Sequence, residues 1–313
     1  MRALPALLTA LTLLACGPAV AAPPQVVASI KPLHSLVAGV TEGVSEPDLL
    51  LSAGDSPHTY AMRPSEARAV RNADLVVHIS PHMEAFLERA LDARGDPDTV
   101  LAAADIEGIE LLGGRDGDTW GEDGHRHGDD DAHRRDYHLW LDPQNAQIIT
   151  AAVAERLAAL DPRHADTYRE NAEAQKQRLA ALEADLDERL EPVRGLPYVV
   201  FHDAYQYFEQ RFGLKAVGAV TVNPEQPPGA RHLNELRGQI RELDTVCVFS
   251  EPQFEPAIAR ALVRGLDARA GELDPLGAGL EPGPDAYFQL LERLADGFVD
   301  CLVRDEQPGG RGR

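Results

Sequence analysis

The chain has 313 residues, 51 of them acidic and 30 basic, for a formal net charge of −21 at pH 7. That excess of carboxylates excludes a nucleic-acid partner, because phosphate recognition needs a basic face, and a field of this sign draws cations, although a solvated acidic surface accounts for much of it without any function. Hydrophobic residues make up 44%, enough for a packed core in one large or two ordinary domains, and only Lys31, Lys176 and Lys215 among the basic residues are lysine.

Residues 1–21 read as an export signal: Arg2, then the apolar stretch Leu4 to Ala15, too short to span a bilayer, then the small-residue cleavage site Ala19-Val20-Ala21. The expected location is periplasmic. Leu13-Leu14-Ala15-Cys16 is an alternative lipoprotein signal, but Leu14 suits it poorly and the soluble form is preferred.

Residues 22–160 read as an N-terminal α/β domain. Val26 to Ile30, Pro47 to Leu51 and Leu75 to Ile79 are expected strands; Ser35 to Val40, Pro64 to Asn72 and Met83 to Ala93 are expected helices. Strands alternating with helices imply mainly parallel sheets. Residues 113–136 interrupt this pattern with seven Asp, one Glu and the histidines His125, His127 and His133. Almost nothing there is apolar, so a disordered loop is expected, and such an insertion in a compact domain is usually functional.

Residues 161–192 read as one linking helix, with Asp161 as N-cap, Pro162 in the first turn, and an apolar stripe of Tyr168, Ala172, Leu179, Leu182, Leu186 and Leu190. Residues 193–302 form a C-terminal α/β domain and 303–313 a disordered tail. The second half resembles the first. Val246 to Pro252 with its following helix parallels Leu75 to Pro81 with its own, and Pro81/Pro252 and Leu91/Leu262 share one offset. The expected architecture is two similar α/β domains joined by a rigid helix, with a cleft between them where ligands bind outside the carboxyl ends of strands. Cys247 and Cys301, in an oxidising compartment, suggest a disulfide; two buried thiols are the alternative.

His58, His138 and His202 each sit where a strand is expected to give way to a loop, flanked by apolar or aromatic residues; Asp274 is a further candidate at an expected strand end. Three imidazoles with one oxygen or water suit tetrahedral Zn²⁺, whereas manganese favours more carboxylates. His125 and His127, spaced i, i+2, with His133 are candidates for a weak secondary zinc site; a purely solubilising loop is the alternative.

With these residues in view, the chain resembles the ZnuA-type periplasmic zinc-binding proteins of ABC importers, a class of metal-specific solute-binding proteins. The resemblance runs along nearly all of the chain beyond the signal. It rests on Pro57-His58-Thr59-Tyr60 with Arg63-Pro64-Ser65, Asn72 to Val77, His138-Leu139-Trp140-Leu141-Asp142-Pro143, Phe201-His202-Asp203-Ala204-Tyr205, Val222-Asn223-Pro224-Glu225, Glu251-Pro252-Gln253-Phe254 and Leu273-Asp274-Pro275-Leu276-Gly277. It implies His58, His138 and His202 as zinc ligands and a Cys247–Cys301 disulfide. It also implies a non-enzymatic monomer that serves the permease and ATPase subunits of a zinc ABC importer, with a periplasmic metallochaperone as a further candidate partner. Some members carry a glutamate where this chain has Pro57, so the fourth ligand falls to Asp274, a water or a loop side chain. The competing readings are a manganese receptor or adhesin on the same scaffold, and a zinc hydrolase. Against the hydrolase, the chain has neither a His-Glu-x-x-His nor a Gly-x-Ser-x-Gly motif.

Overall fold

The computed structural model describes residues 22–51, 54–115, 120, 135–221, 224, 228–243, 247–254 and 257–303. The expected signal at 1–21, nearly all of the acidic loop with His125, His127 and His133, and the tail from 304 lie outside the described residues.

The N-terminal lobe is built on β1 (Val26–Ala28), β2 (Asp48–Leu49), β3 (Leu75–His78) and β4 (Val100–Ala102), in the order β2-β1-β3-β4. The C-terminal lobe repeats that plan with β5 (Pro197–His202), β6 (Lys215–Thr221), β7 (Cys247–Ser250) and β8 (Arg269–Glu272), in the order β6-β5-β7-β8. Every strand pair is parallel. The central strands β1, β3 and β7 are buried along their whole length. Their sequences are therefore continuous apolar runs rather than alternating ones, as a sheet covered on both faces requires.

Helix α1 (Lys31–Val40) follows β1, and α2 (Pro64–Asn72) starts on a proline with Glu66 closing a capping interaction. The expected helix from Met83 shrinks to a single turn at Ala85–Leu87 and the short α3 (Glu88–Asp92). A hairpin of α4 (Pro143–Leu160) and α5 (Ala165–Leu190) links the lobes in sequence. The expected linking helix thus begins at Ala165 rather than at Asp161. Asp161 instead closes α4, and its carboxylate accepts from His164 Nδ1 at 2.6 Å. The expected stripe on α5 is buried, with Gln175 added to it. In the C-terminal lobe α6 (Gln206–Phe212), α7 (Ala230–Glu242), α8 (Ala257–Val263) and α9 (Ala286–Leu302) cover the sheet. Cys247 on β7 and Cys301 on α9 form the disulfide, with Cα atoms 6.1 Å apart.

The lobes share a core. One continuous buried cluster runs from Val27 and Leu36 through Leu179 and Leu186 to Tyr287 and Phe298. Helix α9 of the C-terminal lobe packs on both α1 and α5. Tyr287 N–H donates to Ser35 Oγ at 2.9 Å, and Tyr287 O–H to the Trp140 carbonyl at 2.7 Å.

Candidate metal centre

The structure brings His58, His138 and His202 together: one ligand atom from each lies within 4.8 Å of the others. Nε2 of His138 is 3.4 Å from Nε2 of His58 and 3.3 Å from Nε2 of His202. The three residues arrive by different routes. His202 is the last residue of β5, as expected of a strand-end ligand. His58 lies in a turn well beyond β2, and His138 leads into the turn Leu139–Leu141 and then α4, so neither ends a strand. What they share is a position at the junction between lobes.

Two carboxylates orient two of the rings. His138 Nδ1 donates to Asp136 Oδ1 at 2.7 Å, and the His138 backbone N–H reaches the same oxygen at 2.9 Å. His202 Nδ1 donates to Glu251 Oε1 at 2.7 Å, and its backbone N–H to the same atom at 3.3 Å. With Nδ1 committed as a donor, Nε2 keeps its lone pair for the cavity, the arrangement that metal-ligating histidines use. Glu251 immediately follows β7, next to β5 in the sheet, at the point where the connections from β5 diverge. It therefore sits at the topological switch point of its lobe. Neither carboxylate carries a role in the sequence-based expectations, where Asp136 only closes the acidic stretch and Glu251 only opens the Glu251-Pro252-Gln253-Phe254 run. The available signal was an acidic residue directly after a buried strand, and another two residues before a candidate ligand.

The centre is enclosed. His138 and His202 are buried and His58 half-buried. Trp140 packs 5.3 Å from the His138 ring, and Phe254 5.8 Å edge-on from the His202 ring. Pro57, Met83, Pro275 and Leu276 complete the walls of a cavity of about 10 Å³. That is about the room one water or one small ion needs.

Burial, reinforced by the neighbouring imidazoles, holds His58 and His138 well below the usual histidine range, so both rings are neutral and competent to bind metal. Burial acts on His202 in the same direction, but the charge and hydrogen bond of Glu251, with Asp203 and Asp136 behind it, raise it overall. Burial pushes the Asp136 carboxyl up to about 7, against its backbone bond from His138 and the charges of Arg115 and His202.

Asp274 is not brought to the cluster. Its Oδ1 accepts from Gln253 Nε2 (2.8 Å), Leu276 N (3.1 Å) and Gly277 N (2.9 Å), and its Oδ2 from Ala278 N. Both oxygens hold together the turn whose Pro275 and Leu276 wall the cavity, and the group within ligand distance is the three histidines without Asp274. The root of the acidic loop is also described: Arg115 pairs with Asp203 (3.2 Å) and Glu209 of the C-terminal lobe, and its guanidinium lies over the Trp120 ring.

The family model for the zinc-uptake complex component A, periplasmic, matches residues 26–301. The high-affinity zinc uptake system protein ZnuA of Brucella abortus (strain 2308) is 41% identical over 319 aligned residues, covering 92% of this chain and 95% of the relative. The protein of the same name from Yersinia pestis is 39% identical, covering 93% and 95%. Among solved structures, the periplasmic zinc binding protein TroA from Treponema pallidum superposes with a TM-score of 0.77 at 22% identity, covering 90% of this chain and all of that one, a likeness of fold. The chain belongs to the ZnuA family of periplasmic zinc-uptake components.

Proposed function

We propose that this chain is a receptor that captures Zn²⁺ in the periplasm and delivers it to an ABC importer. The observation that carries the reading is the convergence of three imidazole Nε2 atoms on a cavity the size of one ion, two of them oriented by buried carboxylates. An all-nitrogen set suits Zn²⁺; Mn²⁺ would call for oxygen donors, and Asp136 and Glu251 each have one oxygen committed to an Nδ1. One water completes a tetrahedron. The receptor acts as a monomer on the permease and its ATPase, which take the metal up after release; a periplasmic metallochaperone is a further partner on the loading side. An open water position also describes a zinc hydrolase, but the chain has neither a His-Glu-x-x-His nor a Gly-x-Ser-x-Gly motif.

The acidic loop, which ends just before His138 in the sequence, supplies a weak secondary site through His125, His127 and His133, raising the metal concentration available to the tight site. The tight site is tested by competition with a zinc chelator. His58→Ala, His138→Ala and His202→Ala should each weaken zinc binding by orders of magnitude while the circular dichroism spectrum stays that of the wild type. Wild-type affinity in all three would overturn the assignment.

A further inference from the structure

Lys31 is out of place by two ordinary criteria. It is 6% exposed, and a buried ammonium loses its hydration. It is also the first residue of α1, where the helix dipole disfavours a cation. Compensation comes from the other lobe. Lys31 Nζ donates to the carbonyls of Gly277 (2.6 Å), Ala278 (3.2 Å) and Leu280 (2.6 Å). Three donors on one small head match three converging carbonyls, which the planar fork of an arginine would not. A chain that uses lysine at only three positions uses one here.

The receiving turn is tightly specified. Asp274 holds its N–H groups at Leu276, Gly277 and Ala278 while Lys31 takes its carbonyls. Gly277 has φ +68°, and a Cβ there would come within 2.9 Å of Leu280 Cδ1, so the turn needs glycine at that point. A second tie from the N-terminal side, Trp140 Nε1–H to the Pro275 carbonyl at 2.8 Å, starts two residues after His138. The same turn presents Pro275 and Leu276 to the three-histidine cavity. Lys31 also lines a small space with Gly54, Asp55, Leu276 and Ala278, so it stands where the approach to His58 meets the turn.

We propose that Lys31 is a positioning residue for metal capture: it latches the 274–280 turn of the C-terminal lobe to α1, fixing one wall of the metal cavity in both the metal-free and the loaded protein. The latch keeps the lobes from gaping at this edge of the cavity. This rests on the zinc reading of the cavity.

Two measurements test it. The first uses Lys31→Met, which keeps the aliphatic stem and removes the donors, with Asn171→Ala as control. Asn171 Nδ2 holds the carbonyls of Val40 and Glu42 at the far end of α1, away from the turn. With zinc chloride and a competing fluorescent chelator, Lys31→Met should speed zinc release about tenfold or more with little change in the association rate. Asn171→Ala, at a similar loss of thermal stability, should release zinc at the wild-type rate. Wild-type release from Lys31→Met, or equally fast release from both variants, overturns the proposal. The second measurement needs no variant and stands if Lys31→Met does not fold. In the wild-type protein stripped of metal, the amides of 276–280 should resist hydrogen exchange as well as they do with zinc. Rapid exchange there without metal would show that no latch exists. Because that arm uses metal-free protein, it judges the latch even if the cavity proves not to hold zinc.

Discussion

Asp136 and Glu251 set how the centre responds to acid. Burial already keeps His58 and His138 neutral, so neither contributes much to pH dependence near neutrality. The groups shifted upward are His202, raised through Glu251, and Asp136, raised by its burial to about 7. Zinc favours the deprotonated forms of its ligands and of the carboxylates behind them, so these protons leave when it binds. Asp136, at about 7, still carries part of its proton at neutral pH, and His202 gives up its proton at a higher pH than an ordinary histidine. Apparent zinc affinity should therefore climb as pH rises through about 7 and fall steadily below it, measured by chelator competition between pH 5.5 and 8. In Asp136→Asn the affinity should drop by about tenfold to a hundredfold, as for other lost partners of metal-bound histidines, and the slope around pH 7 should become shallower. An unchanged slope would assign the protons elsewhere. The three histidines were legible from sequence because each stands among apolar residues that have no other use for an imidazole. Glu251 was not, because its partner lies 49 residues away and is brought close only by the β5–β7 pairing. The turn-forming role of Asp274 was not read from the sequence, although an Asp-Pro-Leu-Gly run is as good a turn-former as a ligand donor, since aspartate bonds the N–H groups that follow it.

Helix α5 was visible as an element because its stripe repeats at helical spacing, whereas its partner α4 went unremarked. Helix α4 buries Ala146, Ile149, Thr150, Val153 and Leu157 and is apolar over much of its circumference, so it shows little contrast between faces. The start of α5 was misplaced because Asp161-Pro162 has the form of a cap followed by a first turn, whereas Asp161 closes α4 and its carboxylate accepts local bonds from His164 and Tyr168. Gln175, a polar residue in the apolar stripe of α5, is explained by what lies across from it. Its side chain is buried, with Nε2 donating to the Leu36 carbonyl at 3.3 Å. It reaches α1 only because residue 39 is glycine: a Cβ there would fall 1.8 Å from Gln175 Oε1. Two effects compete in Gly39→Ala. Helix propensity favours alanine by about 1 kcal/mol, while overpacking a closed contact costs about 1–3 kcal/mol. The buried Gln175 amide is held to α1 by the Leu36 carbonyl and to α4 by Thr150 Oγ1, bonds it would lose on withdrawing, so the second effect should win. Urea denaturation of the metal-free protein should show a net loss of about 1 kcal/mol, recovered when Gln175→Ala is added. A gain in stability from Gly39→Ala alone would mean that the side chain can move aside.

The twofold plan of the molecule was readable from the shared offset of Pro81/Pro252 and Leu91/Leu262, and the sheets repeat it strand for strand. What the sequence concealed is how the acidic insertion is rooted. Its whole span looks like one polar segment, yet Arg115 and Trp120 belong to the joint between lobes. Trp120 is buried and its backbone N–H donates to the Val217 carbonyl of β6 at 2.8 Å, while Arg115 pairs with Asp203, half-buried, and Glu209, buried. Tyr207 of α6 adds a third tie, accepting from Leu112 N–H at 2.9 Å and donating to the Asp136 carbonyl at 3.0 Å. The extent of a deletion therefore decides what it tests. Replacing 121–134 by a short Gly-Ser linker removes His125, His127 and His133 and leaves the joint whole. Calorimetry should then lose the weak zinc equivalents and keep one tight one, and transfer from a zinc-loaded donor should slow. Removing 115–134 also strips the partner from both carboxylates, an act that costs about 3–5 kcal/mol when one side of a buried pair is lost. That longer deletion should lower the melting temperature of the metal-free protein markedly and weaken the tight site as well, because Asp203 adjoins His202. If both deletions melted alike, Arg115 and Trp120 would be ornaments of the loop rather than part of the joint. If the shorter one abolished tight binding, the fourth ligand would come from residues 121–134 and not from water.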